Sequence, residues 1–243
     1  QYNQRDVEVE MEITQKLSRF PVPQNEWENY WMDQDINDRG IRIDQHLVNN
    51  AIKCQKEFHD QYLQTSQQLT GLTNPNSPLQ LKDWLHRQGV EADSLAKASV
   101  AQLLQTTAGT VHQVLALRQL LSKSSVKKYQ AMQKAMCKDG RVHGLLQFYG
   151  ANRTGRWAGR LVQVQNLPRN SMVDLEEARE LVKQGNTAAL EMLYDSVPDV
   201  LSQLIRTAFI PSGGHHFYVA DFSAVDARVN AWLSGEEWRQ AAF

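Results

Sequence analysis

The sequence predicts an α+β fold that is mainly helical, and three observations support this prediction. Apolar residues recur at helical spacing over two long stretches, 45–69 and 111–136. Two shorter stretches, 142–149 and 217–221, are instead predicted to be β-strands. Clusters of Pro, Gly and Asn, such as residues 71–78, separate the elements and are typical of breaks between them.

Length and composition set the broad class of protein. With 243 residues, of which 42% are hydrophobic, the chain can form one large domain or two small ones. Cys54 and Cys137 are far apart in sequence, so we expect a reducing compartment rather than a disulfide framework or a metal cluster. The sequence has no long apolar run and no signal peptide at its start, which predicts a cytoplasmic protein without a membrane partner.

Positive charge is concentrated in one part of the chain. The formal net charge is −1, yet residues 118–169 contain eleven Lys or Arg residues and one acidic residue, Asp139. Residues 1–60 show the opposite bias, with twelve acidic and seven basic residues. A basic stretch of this size is typical of a surface that binds a polyanion, because Lys and Arg replace the counterions of phosphates. The alternative is a solvated helix face.

The first 44 residues are predicted to form two helices and a short strand. The first helix ends at the Pro-containing run 20–23, and the second extends from about Gln24 to Asp38. Residues 40–43 are predicted to be a strand or turn, and Asp44 is a good N-cap for the next helix. The apolar residues that we expect to be buried on these two helices are Val7, Met11, Ile13, Leu17, Trp27, Tyr30, Trp31 and Ile36.

Two long helices joined by short helical segments predict an extended arm. The first, 45–69, would be about 37 Å long at the usual helical rise. Ser77 is predicted to cap a short helix that begins at Pro78, and a second short helix is expected at about 100–106. The second long helix, 111–136, has basic and hydroxyl side chains that can donate to phosphate oxygens. Among them, the candidates for contact with DNA are Arg118, Lys123, Ser124, Lys127 and Lys128.

A segment rich in Arg and Gly follows the predicted strand 142–149. Residues 152–160 read Asn-Arg-Thr-Gly-Arg-Trp-Ala-Gly-Arg. Gly lets the backbone approach a polyanion, while Arg guanidinium groups bind phosphates or base edges. Gln165 and Asn166, a few residues later, are candidates for hydrogen bonds to minor-groove acceptors, which look alike in every base pair. Such contacts would not depend on the base sequence.

The stretch 217–221 is predicted to be a buried strand that places Asp221 at its end. Residues 174–207 before it are predicted to be helical, and Val225, Val229 and Trp232 after it have the spacing of an amphipathic helix. An acid at a strand end, with Asp226 at the start of the next helix, can hold a divalent cation or orient a substrate. The alternative is that the strand-end acid caps this helix.

Four motifs in this order resemble those of family A DNA polymerases, the bacterial DNA polymerase I group. They are Thr154-Gly155-Arg156, Gln165-Asn166-Leu167-Pro168, Ile205-Arg206-Thr207-Ala208-Phe209-Ile210-Pro211 and Asp221-Phe222-Ser223-Ala224-Val225-Asp226-Ala227-Arg228. The continuation Trp157-Ala158-Gly159-Arg160 looks like the bacteriophage branch. Residues 76–81, 117–118 and 127–128 are similar to the family's thumb. Tyr2 and Asp6 match the Tyr-x-x-x-Asp spacing of the last motif in the family's proofreading exonuclease.

The resemblance implies four regions. Residues 1–20 would be the remnant of the end of a 3′–5′ exonuclease domain, and residues 21–44 a connecting helix and the entry to the palm. Residues 45–140 would form the thumb, and residues 141–243 the N-terminal palm. The implied architecture is a long-helix thumb arm with the first part of an antiparallel-sheet palm.

The resemblance also implies roles for individual residues. Asp221 would bind both catalytic Mg²⁺ ions, and the backbone carbonyl of Phe222 would bind the ion held with the incoming nucleotide. Ser223, Ala224 and Asp226 would contact the nucleotide. Asp226 stands where the family usually has Glu against the 2′-hydroxyl, so we expect weaker discrimination against ribonucleotides. The residues that would contact DNA are Arg118, Lys123, Ser124, Lys127, Lys128, Thr154, Arg156, Gln165 and Asn166.

The implied function is template-dependent nucleotidyl transfer in phage DNA replication, in the cytoplasm of a bacterial host. The partners would be primer–template DNA and deoxynucleoside triphosphates. The family's second catalytic acid and its fingers would lie beyond Phe243, so we expect this chain alone to hold Mg²⁺ poorly and to be inactive. Tyr2 and Asp6 would be an exonuclease remnant. Two alternatives remain: a non-catalytic module that binds duplex DNA, or one half of a split polymerase with a complementary C-terminal segment.

Overall fold

The computed structural model describes residues 2–122 and 126–242, without the side chains of Tyr2 and Val126. Lys123, Ser124 and the Tyr2 side chain, all predicted site groups, therefore lie outside the described residues. The chain divides into two compact units, residues 1–210 and 211–243. Helices predominate and the strands are short and antiparallel, which confirms the predicted class.

Two helices open the first unit, α1 (Tyr2–Leu17) and α2 (Gln24–Arg39). Their bounds agree with the prediction, but the predicted burial is wrong. All the apolar side chains that the structure describes on α1 are exposed, and all except Val9 have more than half of their surface accessible to solvent. Trp27, Tyr30 and Trp31 of α2 are also exposed. Helical spacing gathers apolar side chains on one face, but burial requires another element that covers this face.

A three-stranded antiparallel sheet joins distant parts of the chain. Its central strand β1 (Ile41–Ile43) pairs with β2 (Arg141–Val142) on one side and with a strand at Phe209–Ile210 on the other.

His143, next to β2, bonds through its two ring nitrogens to the Asp38 carbonyl at 2.9 Å and to Asp139 at 3.0 Å. The hydrogen bond with Asp139 raises the pKa of His143.

The main core forms around α3 (Gln45–Thr70), which agrees with the predicted first long helix. Asp44 caps it as predicted, because its Oδ1 accepts from the Leu47 amide at 3.1 Å. The buried face of α3 packs against other helices of the first unit. These helices are α6 (Gly109–Leu121), α7 (Val126–Ala135), α8 (Leu175–Gln184) and α10 (Val197–Leu204).

The predicted single helix 111–136 is wrong, because the structure has two helices, α6 and α7, in this region. The short helix α4 (Pro78–Arg87) is confirmed with its Ser77 cap, and α5 (Lys97–Thr106) begins earlier than predicted. Together with α6 these helices enclose a second core, separate from the first. Its buried residues are Leu81, Trp84, Leu85, Val100, Val114 and Leu115.

The segment predicted as one strand at 142–149 is divided between β2 and a separate hairpin. This hairpin consists of β3 (Leu146–Ala151) and β4 (Arg156–Gly159), which pair antiparallel with an irregularity between Gln147 and Ala151. Gly144, at φ +65°, separates β2 from β3 in a backbone conformation that favours Gly. The chain therefore turns where periodicity alone predicts a continuous strand.

The helical stretch predicted at 174–207 is confirmed as three helices and a 3₁₀ turn. The helices are α8, α9 (Thr187–Leu193) and α10, and the turn Ile205–Ala208 leads into β5 (Phe209–Ile210). Arg179 of α8 is 12% exposed and places its Nη2 atom 2.5 Å from Oδ2 of Asp44, which is 10% exposed. One carboxylate thus caps α3 and pairs with α8.

The second unit contains α11 (Val225–Ser234) and α12 (Glu237–Ala241). Its predicted buried strand at 217–221 is wrong: these residues are in no strand, and Tyr218 is 96% exposed. The physical reason is that a strand needs a neighbour to bond its backbone, and no strand of the described residues pairs with this segment. The predicted apolar face of α11 is likewise exposed at Val225, Val229 and Trp232.

Among the described helices, none is long and apolar enough to span a membrane.

We expect Arg179→Met to lower the free energy of unfolding by about 3 kcal/mol, because it leaves the buried Asp44 carboxylate without its cation. Urea denaturation followed by circular dichroism measures the change. The control is Arg5→Ala, which breaks an exposed pair with Glu8 on α1 and should cost less than about 1 kcal/mol. Equal losses in the two variants would contradict the structural role of the Asp44–Arg179 pair.

Candidate nucleic-acid interface

The turn of the β3–β4 hairpin presents two predicted DNA contacts, Thr154 and Arg156, both exposed. Gly155 between them has φ +68°, and a Cβ atom there would lie 2.9 Å from the Tyr149 ring. Tyr149 itself has a positive φ of 52°. Glycine is therefore favoured at 155, because other residues rarely adopt this backbone conformation and because a Cβ atom would displace the tyrosine ring.

The second predicted motif is adjacent to this hairpin. Gln165 and Asn166 lie in a 3₁₀ turn, Val164–Asn166, and both side chains are exposed. A Cβ atom on Gly159 would fall 1.8 Å from Oε1 of Gln165, so the carboxamide lies directly over β4. The structure thus brings Gln165 close to the strand that begins with Arg156. Two segments that sequence analysis selected independently form one exposed polar surface.

The loop before this turn has an unusual backbone. Leu161 and Gln163 have positive φ values of 53° and 55°, although neither is glycine. Such conformations cost about 1 kcal/mol or more per residue and persist where the surroundings fix them. Here Lys128 of α7 donates from Nζ to the Val162 carbonyl at 2.7 Å, between the two residues. Val162 itself is fully buried.

The loop after the turn is held by two side chains that sequence analysis did not assign. Arg206 donates from Nε to the Pro168 carbonyl at 2.7 Å and from Nη2 to the Leu167 carbonyl at 2.8 Å. Gln203 Oε1 accepts from the backbone amides of Ser171 and Met172. Arg206 belongs to the motif at 205–211, and this membership was the only sequence signal for it.

The basic residues of α6 and α7 serve internal contacts as well as surface charge. Arg118 donates to both the carbonyl and the Oδ1 of Asn76, at 3.0 and 3.1 Å. This bond ties α6 to the turn before α4, just as Lys128 ties α7 to the loop at Val162. Lys127 is exposed. A contact of these three residues with DNA stays a prediction.

Asp221 and Phe222 are exposed in the irregular segment just before the turn that leads into α11, in the second unit. The N-cap of α11 is Ala224, at φ +51°, without a side-chain hydrogen bond, so the alternative that Asp221 caps this helix is wrong. Arg228 closes the turn by donating from Nε to the Ser223 carbonyl at 2.8 Å. Asp226 lies in the first helical turn, where the helix dipole favours a negative charge.

The described residues do not by themselves fit a two-magnesium site. Among them, no group of three or more His, Cys, Asp or Glu side chains could hold a metal ion. Mg²⁺ prefers six oxygen ligands in octahedral geometry, of which Asp221 and the Phe222 carbonyl could supply only a part. Asp6 is exposed on α1. The metal roles of Asp221 and Phe222 therefore stay predictions.

Comparison with known proteins shows what the chain is similar to. Residues 45–243 match DNA polymerase family A. The DNA polymerase of Bacillus phage SP02 is 57% identical over 240 residues, which cover 98% of this chain and 37% of the phage protein. DNA polymerase I of Chloroflexus aurantiacus is 28% identical over 253 residues, or 99% of this chain and 23% of that protein. The chain thus spans well under half the length of these relatives.

Proposed function

The chain belongs to DNA polymerase family A, and from this membership we propose that it is part of a DNA-directed DNA polymerase of the phage branch. Its own task is to bind the primer–template duplex. The whole enzyme would transfer nucleotides from deoxynucleoside triphosphates to a primer. Within it, residues 45–140 would be the thumb and residues 141–243 the first part of the palm.

The observation that carries this proposal is the single surface formed by the hairpin and the Gln165 turn. Arg156 and Thr154 are exposed at one end of β4, and the Gln165 carboxamide covers Gly159 at the other. Guanidinium and hydroxyl groups suit phosphates, whereas carboxamides suit the minor-groove acceptors that all base pairs share. A surface with this composition fits a duplex of any sequence, as template copying requires.

The distribution of charge supports the same proposal. Exposed basic residues lie on the hairpin, directly after it and on α7. Among the acidic residues of α2, which contacts β3, Asp33 is buried and bonded to Trp157. Counterion release from phosphates would therefore contribute to binding. The exposed basic residues concerned are Lys127, Arg153, Arg156 and Arg160.

We further assign to Asp221 one carboxylate ligand of the catalytic magnesium site of the whole polymerase. Its exposure leaves the carboxylate accessible to a ligand, but the remaining ligands must come from elsewhere. A complementary C-terminal polymerase segment is the partner that would supply them. Ser223, Ala224 and Asp226, which follow directly, are proposed to contact the nucleotide.

A second candidate function is a duplex-binding module without catalysis. It is favoured by the absence, among the described residues, of an acidic cluster around Asp221. The two candidates share the duplex surface and differ only in whether Asp221 is used.

Duplex binding by this chain should weaken steeply as salt rises. Fluorescence anisotropy with a labelled primer–template should give a log–log slope of about −0.9 for each phosphate contacted. Arg156→Ala should make the slope shallower by about 1, because one phosphate contact is lost. Arg5→Ala, on α1, is the control and should leave the slope unchanged. A flat slope for the unaltered chain would contradict the proposal.

Primer extension separates the two candidates. The chain is mixed with a purified C-terminal segment of a phage family A polymerase, Mg²⁺ and the four nucleotides. If Asp221 is a metal ligand, extension should require both pieces, and Asp221→Asn should reduce it by about 10³-fold because a metal ligand is lost. Asp83→Asn, an exposed acid on α4, should leave extension unchanged. Duplex binding without any extension in the mixture would favour the non-catalytic module.

A further inference from the structure

Helix α2 contacts the candidate interface through a buried carboxylate. Of the residues of α2, Asp33 is the one that is buried, with 2% of its surface exposed. Its Oδ1 accepts a hydrogen bond of 2.7 Å from the indole Nε1 of Trp157, the residue that follows Arg156 in β4. The helix lies before the range 45–243 that matches the polymerase family, so the family match gives it no role.

One helical turn later, Asn37 binds the other strand of the same hairpin. Its Oδ1 accepts from the Leu146 amide at 3.0 Å, and its Nδ2 donates to the Leu146 carbonyl at 3.0 Å. The carboxamide thus takes the place of a neighbouring strand at the start of β3. Its Nδ2 also donates to Oδ2 of Asp33 at 3.1 Å, which joins the two anchors into one network.

Aromatic contacts support these hydrogen bonds. The Tyr30 ring of α2 meets the edge of Phe148 with the centroids 6.0 Å apart. Phe148 in turn meets Trp157 at 5.5 Å, also edge to face. Packing alone would hold the hairpin near the helix, but it tolerates rotation of the rings. The Asp33–indole hydrogen bond fixes the orientation of Trp157, because hydrogen bonds weaken when their geometry changes.

A buried carboxylate is a costly way to hold two elements together, since apolar side chains of similar size would serve stability as well or better. The carboxylate instead fixes the orientation of the Trp157 side chain, because a hydrogen bond depends on direction. Successive side chains of a strand point to opposite faces, so a Trp157 held on α2 directs Arg156 away from the helix. The orientation of Arg156 therefore depends on Asp33 of α2, which holds the neighbouring Trp157.

We propose that Asp33 and Asn37 are positioning residues of the duplex-binding surface, which orient the β3–β4 hairpin so that Arg156 can contact DNA. This inference rests on the proposed function. It adds to the interface a helix whose proposed role is to orient the hairpin.

The test is a double-mutant cycle on duplex affinity. Trp157→Phe keeps an aromatic ring but removes the Nε1 donor together with part of the indole, and we expect it to weaken primer–template binding about tenfold. In an Arg156→Ala background the same substitution should have little further effect, because Trp157 acts through Arg156. A merely structural role would instead reduce affinity by the same factor in both backgrounds, and that result would overturn the inference.

Two further variants test whether the loss comes from the Asp33–Trp157 hydrogen bond. Trp31→Phe changes an exposed indole on the same helix, 52% exposed, and should leave affinity unchanged. Asp33→Leu keeps a similar side-chain volume but has no acceptor for the indole Nε1, and should reproduce the Trp157→Phe loss. Each variant is measured at a temperature at which circular dichroism shows full helix content, so unfolding does not enter the comparison. Unchanged affinity in both Trp157→Phe and Asp33→Leu would overturn the inference alone. An unaltered chain that binds no duplex would instead contradict the proposed function, and the inference with it.

Discussion

Hydrogen bonds from distant side chains to the backbone hold the candidate interface in place. Asn37 of α2 binds Leu146, Lys128 of α7 binds the Val162 carbonyl, and Arg206 binds the carbonyls of Leu167 and Pro168. An exposed segment that must present polar groups to a ligand cannot be fixed by burying them. These side chains supply the rigidity instead, and each comes from an element that also packs in the first unit. Each of these hydrogen bonds therefore restrains the interface relative to the element that carries the donor or acceptor side chain.

This arrangement divides the basic residues by role. Arg118 and Lys128 bond to carbonyl groups within the protein, and so contribute both charge and internal order. Arg153, Arg156 and Arg160 are exposed on or beside the hairpin. Basic side chains attract a polyanion at a distance, while only a few groups in fixed positions need to bind it. In the function proposed from membership of DNA polymerase family A, that polyanion is the primer–template duplex.

Local signals in the sequence predicted the elements, and non-local contacts decided the rest. Helix α3 and the caps Asp44 and Ser77 could be predicted because their periodicity and capping bonds lie within a few residues. The buried faces of α1 and α11 and the strand at 217–221 were predicted wrongly, since burial and strand pairing depend on partners that no local pattern contains. Asn37, Gln203 and Arg206 were missed for the same reason. Their hydrogen-bond partners lie more than thirty residues away.

Amide hydrogen exchange of this chain, with and without a saturating primer–template duplex, tests the central claim most directly. If the hairpin and the Gln165 turn bind the duplex, peptides covering residues 151–166 should exchange more slowly in the complex. Peptides from the core formed by α4 and α5 should exchange at the same rate in both states. Protection that spares 151–166, or no protection at a salt concentration where the duplex is bound, would contradict it.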